Sequence, residues 1–238
     1  MRRSLLAPPN ATPAVPVAAR PQRGPLSRAA ASVLGALIRF VAHAVTGVRA
    51  TSHVAPTADA PRVYFANHAS HGDIVLMWAT LPKRVREAAR PVAGSDYWGS
   101  SALRRFLGRH VFDVLSIDRA SAWIATGPLS RMAEALDRGE SLVLFPEGTR
   151  NSGEAALLPF KCGLFYLAQS RPYIELVPVW IDNAHRAMPK GRWLPVPVLC
   201  TVSYGAALHV EAGEDKDAFM RRAAAAVQAL QPRHVATP

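Results

Sequence analysis

From residue 61 onwards, short runs of apolar residues alternate with longer segments in which apolar residues recur every three or four positions. The short runs predict buried strands, and the periodic segments predict amphipathic helices. Strands are expected at 62–66, 90–94, 111–117, 141–145, 174–181 and 198–205, and helices at 72–81, 97–108, 121–138, 160–169 and 217–230. This alternation predicts an α/β fold with a central mixed, largely parallel sheet flanked by helices.

The first fifty residues have a different pattern. Residues 1–25 are rich in proline, alanine and arginine, and such dense prolines block helices, so a disordered arm is expected. Residues 26–50 place apolar and polar positions on opposite faces of an amphipathic helix, and Arg39 and His43 in its middle argue against a membrane-spanning segment. This helix would either pack on the protein's own core or lie in a membrane interface. Residues 51–238 are expected to form the remaining domain.

The charge balance favours anionic partners. The formal net charge is +11 and the pI is about 10.6, which attracts phosphorylated substrates or anionic lipid surfaces. The arginines are scattered and match no nucleic-acid-binding motif, so no nucleic-acid partner is expected; a solvated basic surface is the simplest alternative. Cys162 and Cys200 fit no metal or redox spacing and are expected to be reduced packing residues, with a disulfide as the alternative.

The sequence "NHASHGD" at residues 67–73 places polar chemistry between two apolar segments. If His68 lies on the loop and Asp73 in the first turn of the following helix, the carboxylate can accept a hydrogen bond from Nδ1 of His68. That bond would leave Nε2 free to act as a base. The alternative is structural, because Ser70 and Asp73 have the spacing of a helix-capping box. His71 is expected to be a flanking residue.

A second polar cluster follows the strand at 141–145, in the sequence "LVLFPEGTR". Gly148 permits close approach of the backbone to a ligand, and Glu147 and Arg150 supply opposite charges, although a surface turn with an ion pair would have the same sequence. Arg119 and Lys161 follow other strand or turn positions. If these cations converge with His68 in one crevice, they favour an anionic, phosphate-bearing substrate.

At this point the motifs match a known family. Asn67, His68 and Asp73 form an Asn-His-x-x-x-x-Asp block, and residues 145–150 are a complete Phe-Pro-Glu-Gly-Thr-Arg block. Blocks at 117–119 (Ile-Asp-Arg) and 177–179 (Val-Pro-Val) occur in the family's order. The chain resembles the glycerolipid acyltransferases of the 1-acylglycerol-3-phosphate (lysophosphatidic acid) type over roughly residues 61–185.

The resemblance implies transfer of a fatty acyl group from an acyl thioester to the free hydroxyl of a lysophospholipid, above all lysophosphatidic acid. His68 would be the general base and Asp73 its orienting partner. The expected substrate-binding residues are Asn67, Arg119, Glu147, Gly148, Thr149 and Arg150, to which we add Lys161. No metal and no cofactor are expected, because acyl-coenzyme A or acyl carrier protein would serve as the co-substrate.

The resemblance also implies a membrane-associated enzyme, expected at the cytoplasmic face of the inner membrane and in contact with its phospholipid surface. It favours the interfacial role for the helix at 26–50. Two alternatives stay open: another acceptor, such as a lyso-ornithine lipid, and a non-catalytic protein that binds lipid surfaces. An intact His68–Asp73 pair disfavours the second, because a binding protein has no need of a base.

Overall fold

The computed structural model describes residues 24–52, 59–117, 127–188 and 195–232. They form a seven-stranded sheet in the order β1-β7-β6-β2-β5-β3-β4. Its strands are β1 (Arg49–Ser52), β2 (Arg62–Ala66), β3 (Ala89–Gly94), β4 (Leu115–Ile117), β5 (Ser141–Leu144), β6 (Glu175–Asp182) and β7 (Thr201–Tyr204). Neighbouring strands are parallel except β6 and β7. This confirms the predicted mixed, largely parallel sheet.

The helices pack on both faces of this sheet. They are α1 (Pro25–Thr46), α2 (Asp73–Thr80), α3 (Lys83–Ala88), α4 (Ser95–Gly99), α5 (Ala102–Phe106), α6 (Pro128–Asp137), α7 (Gly163–Ser170), α8 (Ala184–Ala187) and α9 (Lys216–Gln228), and residues Leu107–Val111 form a π-helical turn. Side chains of α6, α7 and α9 line one core and those of α2, α3 and α8 the other. Along β2, Val63 and Phe65 enter the first core and Tyr64 and Ala66 the second, all of them fully buried. Burial on both faces explains why this strand is a continuous apolar run.

The segment between β3 and β4 differs from the prediction. A single helix over 97–108 and a strand over 111–117 were expected, but two short helices and the π-helical turn occupy residues 95–111, and β4 has only three residues. Phe112 is buried against the rings of Trp78 and Trp98. The apolar residues at 111–112 therefore serve aromatic packing, and a short apolar run does not by itself distinguish a strand from a helix.

Helix α1 confirms the predicted N-terminal helix but ends at Thr46 instead of residue 50. Gly47 has a left-handed conformation (φ 53°) and its N–H donates to the carbonyl of His43, which ends the helix. Residues 49–52 then enter the sheet as β1, so the sheet begins before the expected boundary at residue 51. The predicted arm at 1–25 lies outside the described residues except for its last two positions.

The two faces of α1 have opposite environments. The face towards the protein consists of small residues, including Ala31, Gly35 and Ala42; a Cβ at Gly35 would lie 3.0 Å from the ring of Trp78. The opposite face exposes a strip of large apolar side chains: Leu26, Val33, Leu37, Phe40 and Val41. By length and composition α1 could also cross a membrane. Helix α1 thus packs through its small residues and leaves its large apolar residues outside.

Candidate active site

The two polar clusters meet because β2 and β5 are parallel neighbours in the sheet. Their carboxyl ends lie at the same edge, where ligands bind in open α/β sheets. The backbone N–H of Asn151 donates to the carbonyl of His68 over 2.6 Å, which joins the loop after β5 to the loop after β2. The two motifs therefore lie side by side in the structure, as predicted.

His68 and Asp73 form a hydrogen-bonded pair. Nδ1 of His68 lies 2.8 Å from Oδ2 of Asp73, and the same oxygen accepts the backbone N–H groups of Ala69 and Ser70 at 2.7 and 2.9 Å. The Asp73 side chain is 1% exposed and that of His68 is 22% exposed. Because the carboxylate accepts at Nδ1, the Nε2 atom of His68 is left without this partner. The ring also stacks on Phe145, with 4.3 Å between ring centroids.

The capping alternative describes half of this loop, because the carboxylate of Asp73 accepts the N–H of Ser70 but the hydroxyl of Ser70 does not cap the helix. The N-cap of α2 is Gly72, and no side chain caps the helix. The hydroxyl of Ser70 instead donates to the carbonyl of Met188 and accepts the N–H of Gly72. Asp73 lies in the first turn of α2, as expected, and its carboxylate folds the preceding loop back around itself.

Glu147 holds the loops around His68 in place through hydrogen bonds to the backbone. Its carboxylate is 3% exposed, and its two oxygens accept the backbone N–H groups of His68 at 2.7 Å and Leu158 at 2.9 Å. Burial raises the pKa of Glu147, while these two hydrogen bonds lower it by less. Both oxygens are thus engaged with the backbone, and the carboxylate positions the loop at His68. The expected contact of Glu147 with an acceptor stays a prediction.

Asn67 has a comparable role at the end of β2. Its Nδ2 group donates to the carbonyl of Ile181 at 3.0 Å, and its Oδ1 atom accepts the N–H of the same residue at 2.7 Å. The side-chain amide thereby takes the place of a backbone peptide and ties β2 to β6. Both amide atoms therefore bind the neighbouring strand, and the expected substrate contact of Asn67 stays a prediction.

The turn after β5 brings Gly148 under the side chain of Lys161. Gly148 has φ +69°, and a Cβ at this position would lie 2.6 Å from Cε of Lys161. The backbone N–H of Lys161 donates to the carbonyl of Pro146, which fixes the base of the lysine on the turn. Lys161 is exposed and lies next to the turn, and its expected contact with the acceptor phosphate stays a prediction.

A cavity of about 250 Å³ opens beside the His68 ring. Its polar lining includes His71, Asp96, Thr149 and Arg150. Its apolar lining is Ile74, Val92, Ala93, Tyr97, Trp98 and Phe145. The cavity thus combines a candidate base, a cation and an apolar wall, which suits an amphiphilic ligand.

His71 belongs to the wall of this cavity, although it was expected to be only a flanking residue. Its ring stacks on Tyr97, with 4.7 Å between ring centroids. Burial lowers the pKa of His71, and the charges of Arg150, His68 and Arg104 lower it further, against a smaller opposing effect of Asp73. His71 is therefore neutral near pH 7 and stands in a cationic environment.

A second cavity, of about 610 Å³, lies on the other side of His68. It is lined by polar side chains of the loop after β5 and of the β6–α8 connection, among them Asn151, Ser152, Asp182 and Asn183. His68 is part of both cavities. A group at this histidine can therefore be approached from two sides.

Arg119, the remaining predicted site residue, lies outside the described residues. Of the others, the structure brings His68, Gly148, Thr149 and Arg150 to one cavity, with Asp73 behind the histidine. Among the described residues no group of three His, Cys, Asp or Glu side chains could hold a metal ion. The aromatic wall of Tyr97 and Trp98 was missed, because its residues were assigned to a helix without regard to which face they present.

The chain is similar to proteins of one known family. A family model described as Acyltransferase matches residues 46–182. The chain is 29% identical to a 1-acyl-sn-glycerol-3-phosphate acyltransferase of Limnanthes alba over 174 residues, which are 72% of this chain and 57% of the plant protein. It is 34% identical to the mouse 1-acyl-sn-glycerol-3-phosphate acyltransferase alpha over 57% of this chain and 45% of that protein. The chain thus spans about half the length of these relatives.

The fold also has a counterpart among solved structures. The crystal structure of the 1-acyl-sn-glycerophosphate (LPA) acyltransferase PlsC from Thermotoga maritima superposes with a TM-score of 0.63, covering 85% of this chain and 80% of that one at 17% identity. This similarity supports the fold. The family model covers more than half of the chain, including both polar motifs, and confirms the resemblance found in the sequence: the chain belongs to the acyltransferase family.

Proposed function

We propose that this protein transfers a fatty acyl group from an acyl thioester to the free hydroxyl of a lysophospholipid, with lysophosphatidic acid as the principal acceptor and phosphatidic acid as the product. The observation that carries the proposal is the His68–Asp73 pair at the wall of a cavity that also contains Arg150. The names of the relatives, 1-acyl-sn-glycerol-3-phosphate acyltransferases, support the same acceptor.

In the proposed mechanism, Nε2 of His68 removes the proton of the acceptor hydroxyl as its oxygen attacks the thioester carbonyl carbon. The new C–O bond gives a tetrahedral intermediate, and Asp73 stabilises the imidazolium that has formed. The intermediate collapses with cleavage of the C–S bond, and the departing thiolate takes the proton from the imidazolium. A thioester is already activated, so the attack is direct and needs no covalent enzyme intermediate.

The two cavities support binding of both substrates at once. The acceptor would occupy the smaller cavity, where Arg150 and the apolar wall match a phosphate and an acyl chain. The thioester would reach His68 from the larger, polar cavity. Acyl-coenzyme A and acyl carrier protein both fit this scheme as donors, since each presents its thioester on a polar pantetheine arm.

The exposed strip of α1 supports membrane association. Leu26, Val33, Leu37 and Phe40 repeat along one face and are between 54% and 85% exposed. We propose that this strip inserts into the interface of the phospholipid bilayer, on the cytoplasmic face of the inner membrane, while the small-residue face packs on the protein. The net charge of +11 adds attraction to anionic headgroups.

The decisive experiment offers the purified protein labelled acyl-coenzyme A or acyl carrier protein with lysophosphatidic acid, lyso-ornithine lipid or lysophosphatidylcholine. Wild type is expected to form phosphatidic acid, and His68→Ala to lose about a hundred- to ten-thousandfold in rate. His209→Ala, which changes an exposed histidine outside both cavities, is the matched control. Transfer to another acceptor alone would replace the substrate, and no transfer with either donor would contradict the proposal.

Membrane binding has its own test, by co-sedimentation with vesicles that contain anionic lipid. Phe40→Asp is expected to weaken binding about tenfold or more, because insertion of a large apolar side chain is worth about 1.5–3 kcal/mol. Ser32→Asp introduces the same charge at an exposed position outside the apolar strip and controls for electrostatics. Equal effects of the two substitutions would exclude insertion of the strip.

A further inference from the structure

A second cation, which belongs to none of the sequence motifs, contacts the aromatic wall of the cavity beside His68. Arg104 lies on α5, and its guanidinium carbon is 4.6 Å from the ring centroid of Tyr97. Tyr97 lines the cavity and stacks on His71, which lines it too. Arg104 therefore contacts the wall of the cavity through Tyr97. Arg150, on the loop after β5, lines the same cavity.

Arg104 is positioned but not neutralised. Its Nη1 atom donates to the hydroxyl of Ser100 at 2.8 Å, and no carboxylate of the described residues lies within 4 Å of its side chain. Arg150 likewise has no carboxylate of the described residues within 4 Å of its side chain. Asp96 is the one acid among the described residues that line the cavity, and it is exposed and paired with neither arginine. Two partly buried arginines near one cavity thus have no carboxylate partner among the described residues.

The environment of His71 gives independent support. The charges of Arg150 and Arg104 both lower the pKa of this histidine, which places both guanidinium groups within electrostatic range of the same ring. Both arginines therefore contribute positive charge near the cavity wall. A bound anion would relieve their mutual repulsion, and a planar guanidinium matches the geometry of phosphate oxygens.

We propose that Arg104, held against the ring of Tyr97, binds the headgroup phosphate of the acceptor together with Arg150. This inference rests on the proposed function, because it assumes that the acceptor occupies the smaller cavity. A phosphate monoester carries about −1.5 to −2 charges near neutral pH, which two arginines match, whereas the phosphate diester of a choline headgroup carries a single negative charge beside a cation. Arg104 thus makes the site selective for a monoester headgroup.

The experiment compares Arg104→Gln with wild type on two acceptors that differ only in the phosphate, 1-acylglycerol 3-phosphate and 1-acylglycerol. Loss of one hydrogen bond to a charged group is expected to raise KM for the phosphorylated acceptor roughly tenfold, with kcat and the KM for 1-acylglycerol little changed. Arg104→Lys should recover part of the loss. Arg105→Gln, which changes the exposed neighbour whose guanidinium donates to the Gly99 carbonyl, is the matched control.

A binding measurement keeps this inference separable from the proposed reaction. Calorimetric titration of 1-acylglycerol 3-phosphate in detergent micelles requires no turnover, and Arg104→Gln should bind it roughly tenfold more weakly than wild type does, with thermal unfolding unchanged. If wild type binds but transfers no acyl group, the reaction is refuted and the phosphate site is retained. Equal losses for both acceptors, or unaltered binding of the phosphorylated one, would overturn the role of Arg104.

Discussion

Replacing Asp73 by asparagine tests whether this residue acts through His68. The substitution keeps the shape of the side chain but removes its charge. In wild type Oδ2 of Asp73 accepts three N–H groups, and in the variant the single carbonyl oxygen of asparagine must accept all three. The amide NH2 group would take the place of Oδ1, which is buried and has no hydrogen-bond partner among the described residues. The variant therefore loses the negative charge beside His68, and its neutral oxygen holds the Nδ1–H group less strongly than the carboxylate does.

The size of the effect follows from the geometry. When His68 becomes an imidazolium, the carboxylate lies within hydrogen-bonding distance of it in a buried environment. At about 4 Å between charge centres and an effective dielectric constant of about 20, their attraction is about 4 kcal/mol. Since about 1.4 kcal/mol corresponds to tenfold in rate, Asp73→Asn should lower kcat by about a thousandfold. Stability should fall by roughly 1–3 kcal/mol, the cost of an unsatisfied buried polar group.

A double-mutant cycle gives the decisive readout. Initial rates of acyl transfer are measured for wild type, Asp73→Asn, His68→Ala and the double variant, with Asp217→Asn as an exposed control and urea unfolding to confirm that each is folded. The double variant should be no slower than His68→Ala, because residues that act as a unit are not additive. The reasoning is refuted if the folded Asp73→Asn protein keeps more than a tenth of the wild-type rate, or if the two losses multiply.

Three further substitutions or reactions test other parts of the site. Glu147→Gln should lower the free energy of unfolding by about 1–3 kcal/mol in urea titration, because an amide nitrogen would face a backbone N–H that the carboxylate now accepts. Gly148→Ala should cost about 1–2 kcal/mol, since φ is +69° there, and should slow transfer; Gly153→Ala, at a glycine without positive φ or a close contact, should do neither. Burial raises the pKa of Cys200 to about 11, so its thiolate is scarce at pH 8; a maleimide should label only the exposed Cys162 in the folded protein and both cysteines in urea.

The motifs predicted which polar residues meet, but not what each of them contacts. The contact between His68 and Asp73 was predicted correctly because the two residues are only five positions apart, one on the loop and one at the start of the helix. Such a contact depends on local structure alone. Whether Asn67 faces a ligand or the backbone depends on where β6 ends, and its partner Ile181 is 114 positions away. The same holds for Glu147, whose two partners lie on different loops. A single sequence gives no information about which residues of distant strands and loops lie side by side.

The segment around Arg104 shows a second limit of prediction. Aromatic and arginine residues at helical spacing were assigned to one helix, but the chain breaks twice and includes a π-helical turn. Gly108 approaches the ring of Trp98 so closely that a Cβ there would lie 2.8 Å away. That contact depends on tertiary packing, which local periodicity does not report. The strand β1 was missed for another reason: its four residues are all exposed, so they have no apolar pattern.

Helix α1 leads directly through Gly47 into β1. This connection has a practical consequence for producing the protein without the exposed apolar strip of α1. β1 is the edge strand that covers β7, so a fragment that starts at residue 51 would lose half of this cover. The uncovered backbone of β7 would then be free to pair with other chains, which is a common origin of aggregation. A soluble form is better obtained by replacing the exposed apolar side chains of α1 with polar ones than by shortening the chain.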